Sequence, residues 1–194
     1  MGAGPHRGIP DAAGRRREAK EWAERAPHVP ERWFRRHSQV HGVSHTQRVH
    51  IHAQRLAGML GWDAGDTGLV LLAALWHDIG RTDDGVDDAH GAKSAARAED
   101  LGLTRGLAPA DAGAVLFAVR FHCLPDHVAR ASSADPLLPG DARALRILWL
   151  LKDADALDRV RLGEQADPDM LRHDESRRLL KAGFADALCA ELWR

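Results

Sequence analysis

A histidine and an aspartate stand side by side at the end of the most apolar run in the chain, GLVLLAALWHDIG, where His77 and Asp78 precede Ile79 and Gly80. A carboxylate carried into an apolar interior without a partner is costly, so Asp78 lies on a solvated helix end or meets something positive. Two other positions carry the same tension. HGVSHTQRV places His45 at the start of a histidine-bearing segment, and LLKDADALDRV sets Asp155 inside a second strongly apolar one. Imidazole is the commonest metal ligand and the usual proton carrier near neutral pH, so the chemistry in view is metal coordination or proton transfer. The chain has 12 histidines and no tyrosine; about half of the histidines are assigned to surface decoration on general grounds.

The elements that must position these residues read as helices. Ser44 is an N-cap candidate, and Val49, Ala53, Leu56 and Leu60 recur at helical spacing up to Gly61. The next helix opens near Asp66 and runs to Gly80; it is apolar nearly all round, which predicts a central, buried position. RTDDGVDD reads as a polar loop, HGAKSAARAEDLG as a helix stopped by Gly102, and APADAGAVLFAVRFHC as a helix with Pro109 in its first turn. VARASSADPLLPG reads as a loop. A long helix follows from the cap Asp141 towards Gly163, and DPDMLRHDESRRLLKAGFADALCAELWR supplies one or two terminal helices. No alternating β-branched run is long enough for a strand. The predicted fold is all-α, a single bundle-like domain over residues 28–194. Residues 1–27 are predicted to form a flexible Arg/Gly/Pro-rich arm, with a short helix around Glu18–Arg25.

Composition narrows the class. A chain of 194 residues can bury a core without disulfide staples. Its two cysteines, Cys123 and Cys189, are far apart with no CxxC, which argues against a zinc ribbon or a disulfide scaffold and favours a reducing compartment. A net charge of −1 offers no global field for nucleic acid or an anionic membrane. No apolar run approaches the ~20 residues of a membrane helix, and the start lacks the apolar stretch of a secretory signal. The expectation is a cytoplasmic protein.

The order His45 … His77-Asp78 … Asp155 resembles the H…HD…D signature of the HD-domain metalloproteins, mostly phosphohydrolases, and the local words HTQRV, HDIG and KDADAL resemble theirs over residues 40–160. The resemblance implies an all-helical fold and a divalent ion held by His45, His77, Asp78 and Asp155. Two imidazoles and two carboxylates suit Mn, Fe, Co, Ni or Zn, and they leave room for a water that loses a proton near neutral pH. His77 and Asp78 lie ~100° apart around their helix and can reach one ion. From the residues alone, Asp153, Asp155 and Asp158 compete for the last place, and Asp155 could instead pair with Arg159 at i+4; the family word selects Asp155. Members with two metals carry two further histidines between the pair and the last aspartate. Here these would be His90 and His122, holding a second ion or the substrate phosphate, with Asp78 bridging. His41 and His52 are weaker candidates, and His50, His127 and His173 fit no signature.

The activity implied is hydrolysis of a phosphate ester of a small molecule, a nucleotide or a phosphorylated metabolite. Asp78 would be the catalytic carboxylate, and Arg48 and Lys93, one helical turn after His45 and His90, would bind substrate phosphate. The acidic residue that alarmone hydrolases and 5′-deoxynucleotidases carry soon after HD is replaced by Arg81 and Thr82, with Asp83 and Asp84 just beyond. The GYP motif of cyclic-di-GMP hydrolases is missing. Two other readings stand beside the hydrolase: a di-iron oxygenase of the same family that cleaves C–C or C–P bonds with O2, and a non-catalytic regulatory module. The expected partner is a small phosphorylated molecule; neither membrane nor nucleic acid is favoured, and a homodimer is left open.

Overall fold

The computed structural model describes residues 11–133 and 140–193, and all regular structure among them is helical. The helices are α1 (Ala12–Glu24), α2 (Val43–Met59), α3 (Ala64–Trp76), α4 (His90–Asp100), α5 (Pro109–Phe121), α6 (Asp126–Ser132), α7 (Ala142–Leu157), α8 (Asp174–Ala182) and α9 (Phe184–Glu191). No described helix is long and apolar enough to cross a membrane.

The centre is α7, against which α2, α3 and α5 pack. Its cap is the predicted one: Asp141 accepts from the Ala144 amide at 2.8 Å. Ala144, Ile147, Leu148, Leu151 and Ala154 recur every three or four residues and are fully buried. Each buried Leu or Ile on this stripe stabilises the fold by roughly 2 kcal/mol. Val49, Ala53 and Leu56 of α2 and Val70, Ala73 and Ala74 of α3 close the same core. The α3 helix is shorter than expected: it ends at Trp76, and the chain turns through His77–Gly80. The α7 helix, expected to run towards Gly163, likewise ends at Leu157 and tightens into a 3-10 turn, Asp158–Leu162, before Gly163 at φ 74°.

Two expectations are corrected. The arm predicted for residues 1–27 contains α1, capped by Asp11 on the Gly14 amide at 2.7 Å; residues 1–10 lie outside the described residues. Its Arg-rich outer face masks a narrow stripe, Ala19, Trp22, Ala23 and Ala26, which packs with Ile51, Phe184, Leu188 and Leu192. The stripe is too narrow to show as periodicity and is buried only because α9 lies against it. The second correction is α6, in a segment expected to begin a loop. Pro125 is tolerated ahead of a first turn, and Val128 and Ala129 reach the core. Residues 134–139 of that expected loop lie outside the described residues.

His52 sits between the two cores, on α2 edge-on to Phe184, with ring centroids 5.9 Å apart. It is 1 % exposed, and neither ring nitrogen has a hydrogen-bond partner. Burial pushes it down to about 4. Its neutral form is therefore favoured by folding, and its share of stability is intact above the ordinary value of 6.5 and is lost as the pH falls from 6.5 through about 4. In chelator-treated protein, urea unfolding of His52→Leu should lose less stability than the wild type between pH 7.5 and 4, by up to about 3 kcal/mol. Parallel acid limbs in the two proteins would contradict this assignment.

Candidate metal centre

Five helix ends meet at one place. His45 lies in the first turn of α2, His77 and Asp78 follow α3, His90 opens α4, His122 follows α5, and Asp155 lies in the last turn of α7. The C-terminal ends of α3, α5 and α7 bring partial negative charge there, which favours a cation. Two glycines permit the approach. A Cβ on Gly80 would meet the Lys93 carbonyl carbon and the Ser94 nitrogen at 2.3 Å, so the HDIG turn lies directly on the backbone of α4. A Cβ on Gly91 would meet the Arg120 carbonyl oxygen at 2.5 Å, so the start of α4 lies on the end of α5. Only residues without a side chain allow both contacts.

The structure thus brings together the six side chains His45, His77, Asp78, Asp155, His90 and His122. They form two sets that share Asp78. On one side His45 Nε2 lies 3.0 Å from His77 Nε2, 3.3 Å from Asp155 Oδ1 and 3.5 Å from Asp78 Oδ2. On the other, His90 Nε2 lies 2.9 Å from His122 Nε2, and these two nitrogens are 3.3 and 3.7 Å from Asp78 Oδ1. Asp78 is 3 % exposed, whereas the Asp155 side chain is 31 % exposed and marks the open side. The alternative pairing of Asp155 with Arg159 is not formed; Arg159 pairs with Glu164.

The ring tautomers follow from the partners. His77 Nδ1 meets the Ala74 carbonyl at 2.8 Å, His122 Nδ1 the Val119 carbonyl at 2.7 Å, and His90 Nδ1 the Asp87 carbonyl. His45 Nδ1 meets Asp158 Oδ2 at 2.7 Å. Carbonyl and carboxylate oxygens only accept, so every Nδ1 donates and every Nε2 is turned inward. Two inward lone pairs 3 Å apart repel unless a positive centre lies between them. Burial and Arg161 lower His45, but Asp155, Asp158 and Asp78 outweigh them and raise it to about 9, so without a metal a proton serves there. Burial drives His77 down to about 3 and His90 to about 4, leaving both neutral and ready to ligate. Burial alone would raise Asp78, yet His77, His122 and His45 hold it well below the carboxylate range. Anionic oxygens between inward nitrogen lone pairs fit a divalent ion.

Neither expected phosphate-binding cation reaches this site. Arg48 is fully buried: its Nε and one terminal nitrogen donate to Asp158 at 2.7 and 3.0 Å, and the other donates to the Leu192 carbonyl. It shares a helical face with His45, but that face supports the ring from behind. Lys93 donates to Asp87 at 2.8 Å. Asp158, one of the three aspartates that competed for the last place, is the buried carboxylate that orients His45 from behind. Asp153 is buried away from the centre and accepts from the Arg172 and His173 amides and from Ser176 Oγ.

A cavity of about 520 Å³ opens over the two sets, with Arg81, Arg159 and Arg161 in its walls. Arg81 Nε donates to Asp78 Oδ1 at 3.1 Å. His41, ranked low from sequence, is 7 % exposed, lines this cavity and sets Nδ1 3.2 Å from Asp84 Oδ1. Burial lowers it below the ordinary value, so it is neutral at pH 7. Its spacing of four before His45 is the signal that could have promoted it.

The prop behind His45 gives a test. Partners that orient a ligating imidazole are typically worth 10–100-fold in metal affinity. Asp158→Asn, read by chelator competition, should weaken metal binding by about that factor; unchanged affinity would contradict the orienting role.

No curated protein and no solved structure matches the chain. The family model described as the HD domain matches residues 42–160, a stretch that holds all six of these side chains. The chain belongs to the HD-domain family, whose members are mostly metal-dependent hydrolases.

Proposed function

We propose that the chain is a metal-dependent phosphohydrolase that cleaves a phosphate ester of a small molecule, a nucleotide or a phosphorylated metabolite. The observation that carries this reading is the pairing of the shared Asp78 sets with a cavity whose walls hold Arg81, Arg159 and Arg161. A divalent ion held by His45, His77, Asp78 and Asp155 would supply an acidified water and draw charge from the phosphoryl oxygens.

The chain's own groups do the rest. Arg159, half exposed and paired only at the surface, can turn to the substrate phosphate, and Arg81 and Arg161 add charge from the walls. Charges aimed at the phosphoryl oxygens stabilise them as they gain negative charge. Asp78, with one oxygen towards each set, is a shared ligand. Proton transfer falls to His41: Asp84 holds its Nδ1 proton, and Nε2 is left to accept one from the attacking water. The cavity volume is in the range that accepts a nucleotide-sized ligand.

The same six groups support a second reading, since two imidazole pairs on opposite oxygens of one carboxylate also suit two irons and an O2-dependent oxygenase. Metal content separates the two. Purified protein should carry a divalent metal and release phosphate from at least one nucleotide or sugar phosphate. Asp78→Ala should abolish that release, and His41→Gln should lower kcat by about 10²-fold or more with metal content unchanged. No release with any divalent ion would overturn the hydrolase reading; two bound irons with O2-dependent turnover would establish the oxygenase.

A further inference from the structure

A third side chain faces the His90–His122 pair. Cys123 directly follows His122 beyond the end of α5, lines the same cavity, and donates its thiol to the Asp88 carbonyl at 3.3 Å. The ligating atoms of His90, His122 and Cys123 all lie within 4.8 Å of one another. Both imidazoles are 6 % exposed with Nε2 turned inward, and Asp78 Oδ1 lies beside them. The group therefore offers two nitrogens and one sulfur within reach of one another, with an Asp78 oxygen beside the two nitrogens. A tetrahedral ion bound by a thiolate and an imidazole holds S and N about 3.6 Å apart, within reach of a small rotation of the Cys123 side chain.

We propose that Cys123 ligates a second metal position together with His90, His122 and Asp78, and that this position selects a thiophilic ion such as zinc or ferrous iron over manganese. The inference rests on the metal-binding reading above. The thiol proton passes to solvent as the sulfur binds, and the Asp88 carbonyl loses its donor. The two positions then differ in kind: the one at His45 is built from nitrogen and oxygen alone, and the one at His90 carries a sulfur.

Cobalt(II) reports a thiolate ligand by its near-ultraviolet charge-transfer absorption, independently of activity. The full chain, stripped of metal and titrated with cobalt under exclusion of oxygen, should bind two equivalents, and the absorption should grow with only one of them. Cys123→Ser should lose the absorption, whereas Cys189→Ser, altered in α9, should keep it. Two bound equivalents without the absorption, or an absorption that survives Cys123→Ser, would overturn the sulfur ligand while leaving the metal reading in place. Failure to bind cobalt at all would overturn both.

Discussion

Four imidazole rings give Nδ1 to an oxygen and turn Nε2 towards a neighbour of the same kind, in pairs 3.0 and 2.9 Å apart on either side of Asp78. Such an arrangement is repulsive by itself and becomes favourable only around positive charge. The rest of the molecule serves this constraint. Three helix C-termini point at it, two glycines let α4 lie against the HDIG turn and against α5, and Arg48 with Asp158 holds one ring from behind. Arg48 and Asp158 lie one turn beyond His45 and Asp155 respectively, so an outer ion pair braces an inner ligand pair. Removing either member of a buried pair leaves an uncompensated charge, which ties the stability of the core to the geometry of the centre.

The two halves of the centre are not equivalent. The His45 side has a second carboxylate, Asp155, which is partly exposed to the cavity and gives that half its open face. The His90 side has Arg81 on Asp78 Oδ1 and a thiol within reach. On the proposed reading the first half carries the reacting water and the second half sets charge and position. The family gives the scaffold; the proposal of a phosphorylated substrate rests on the basic walls of the cavity and on the His41–Asp84 pair.

The sequence pattern alone drew attention to His45, His77-Asp78 and Asp155, while the full set with His90 and His122 came from the family resemblance. His77-Asp78 and Asp155 are polar exactions on otherwise core-like segments, and the choice of Asp155 over Asp153 and Asp158 came from the family word. Spacing could not show which way a neighbouring cation turns. Arg48 lies on the His45 face, yet its guanidinium runs inward to Asp158, a fully buried carboxylate whose charge it shares with His45. Only the second half of α1 was expected, as a short helix around Glu18–Arg25; its docking was hidden because its apolar stripe is narrow and finds its partners in Ile51 and in the opposite end of the chain. Cys123 carried no signal at all, since a single cysteine beside a histidine acquires meaning only when His90 arrives from another helix.

The inward nitrogens call for a cation between them, and a divalent metal ion fits that place. Anomalous diffraction from crystals of the metal-loaded chain, collected on both sides of the metal's absorption edge, locates that ion. A peak is expected among His45, His77, Asp78 and Asp155, with nitrogen ligands at about 2.0–2.1 Å if the ion is zinc. No peak there, with the His45 and His77 rings still 3 Å apart in fully loaded protein, would contradict this placement.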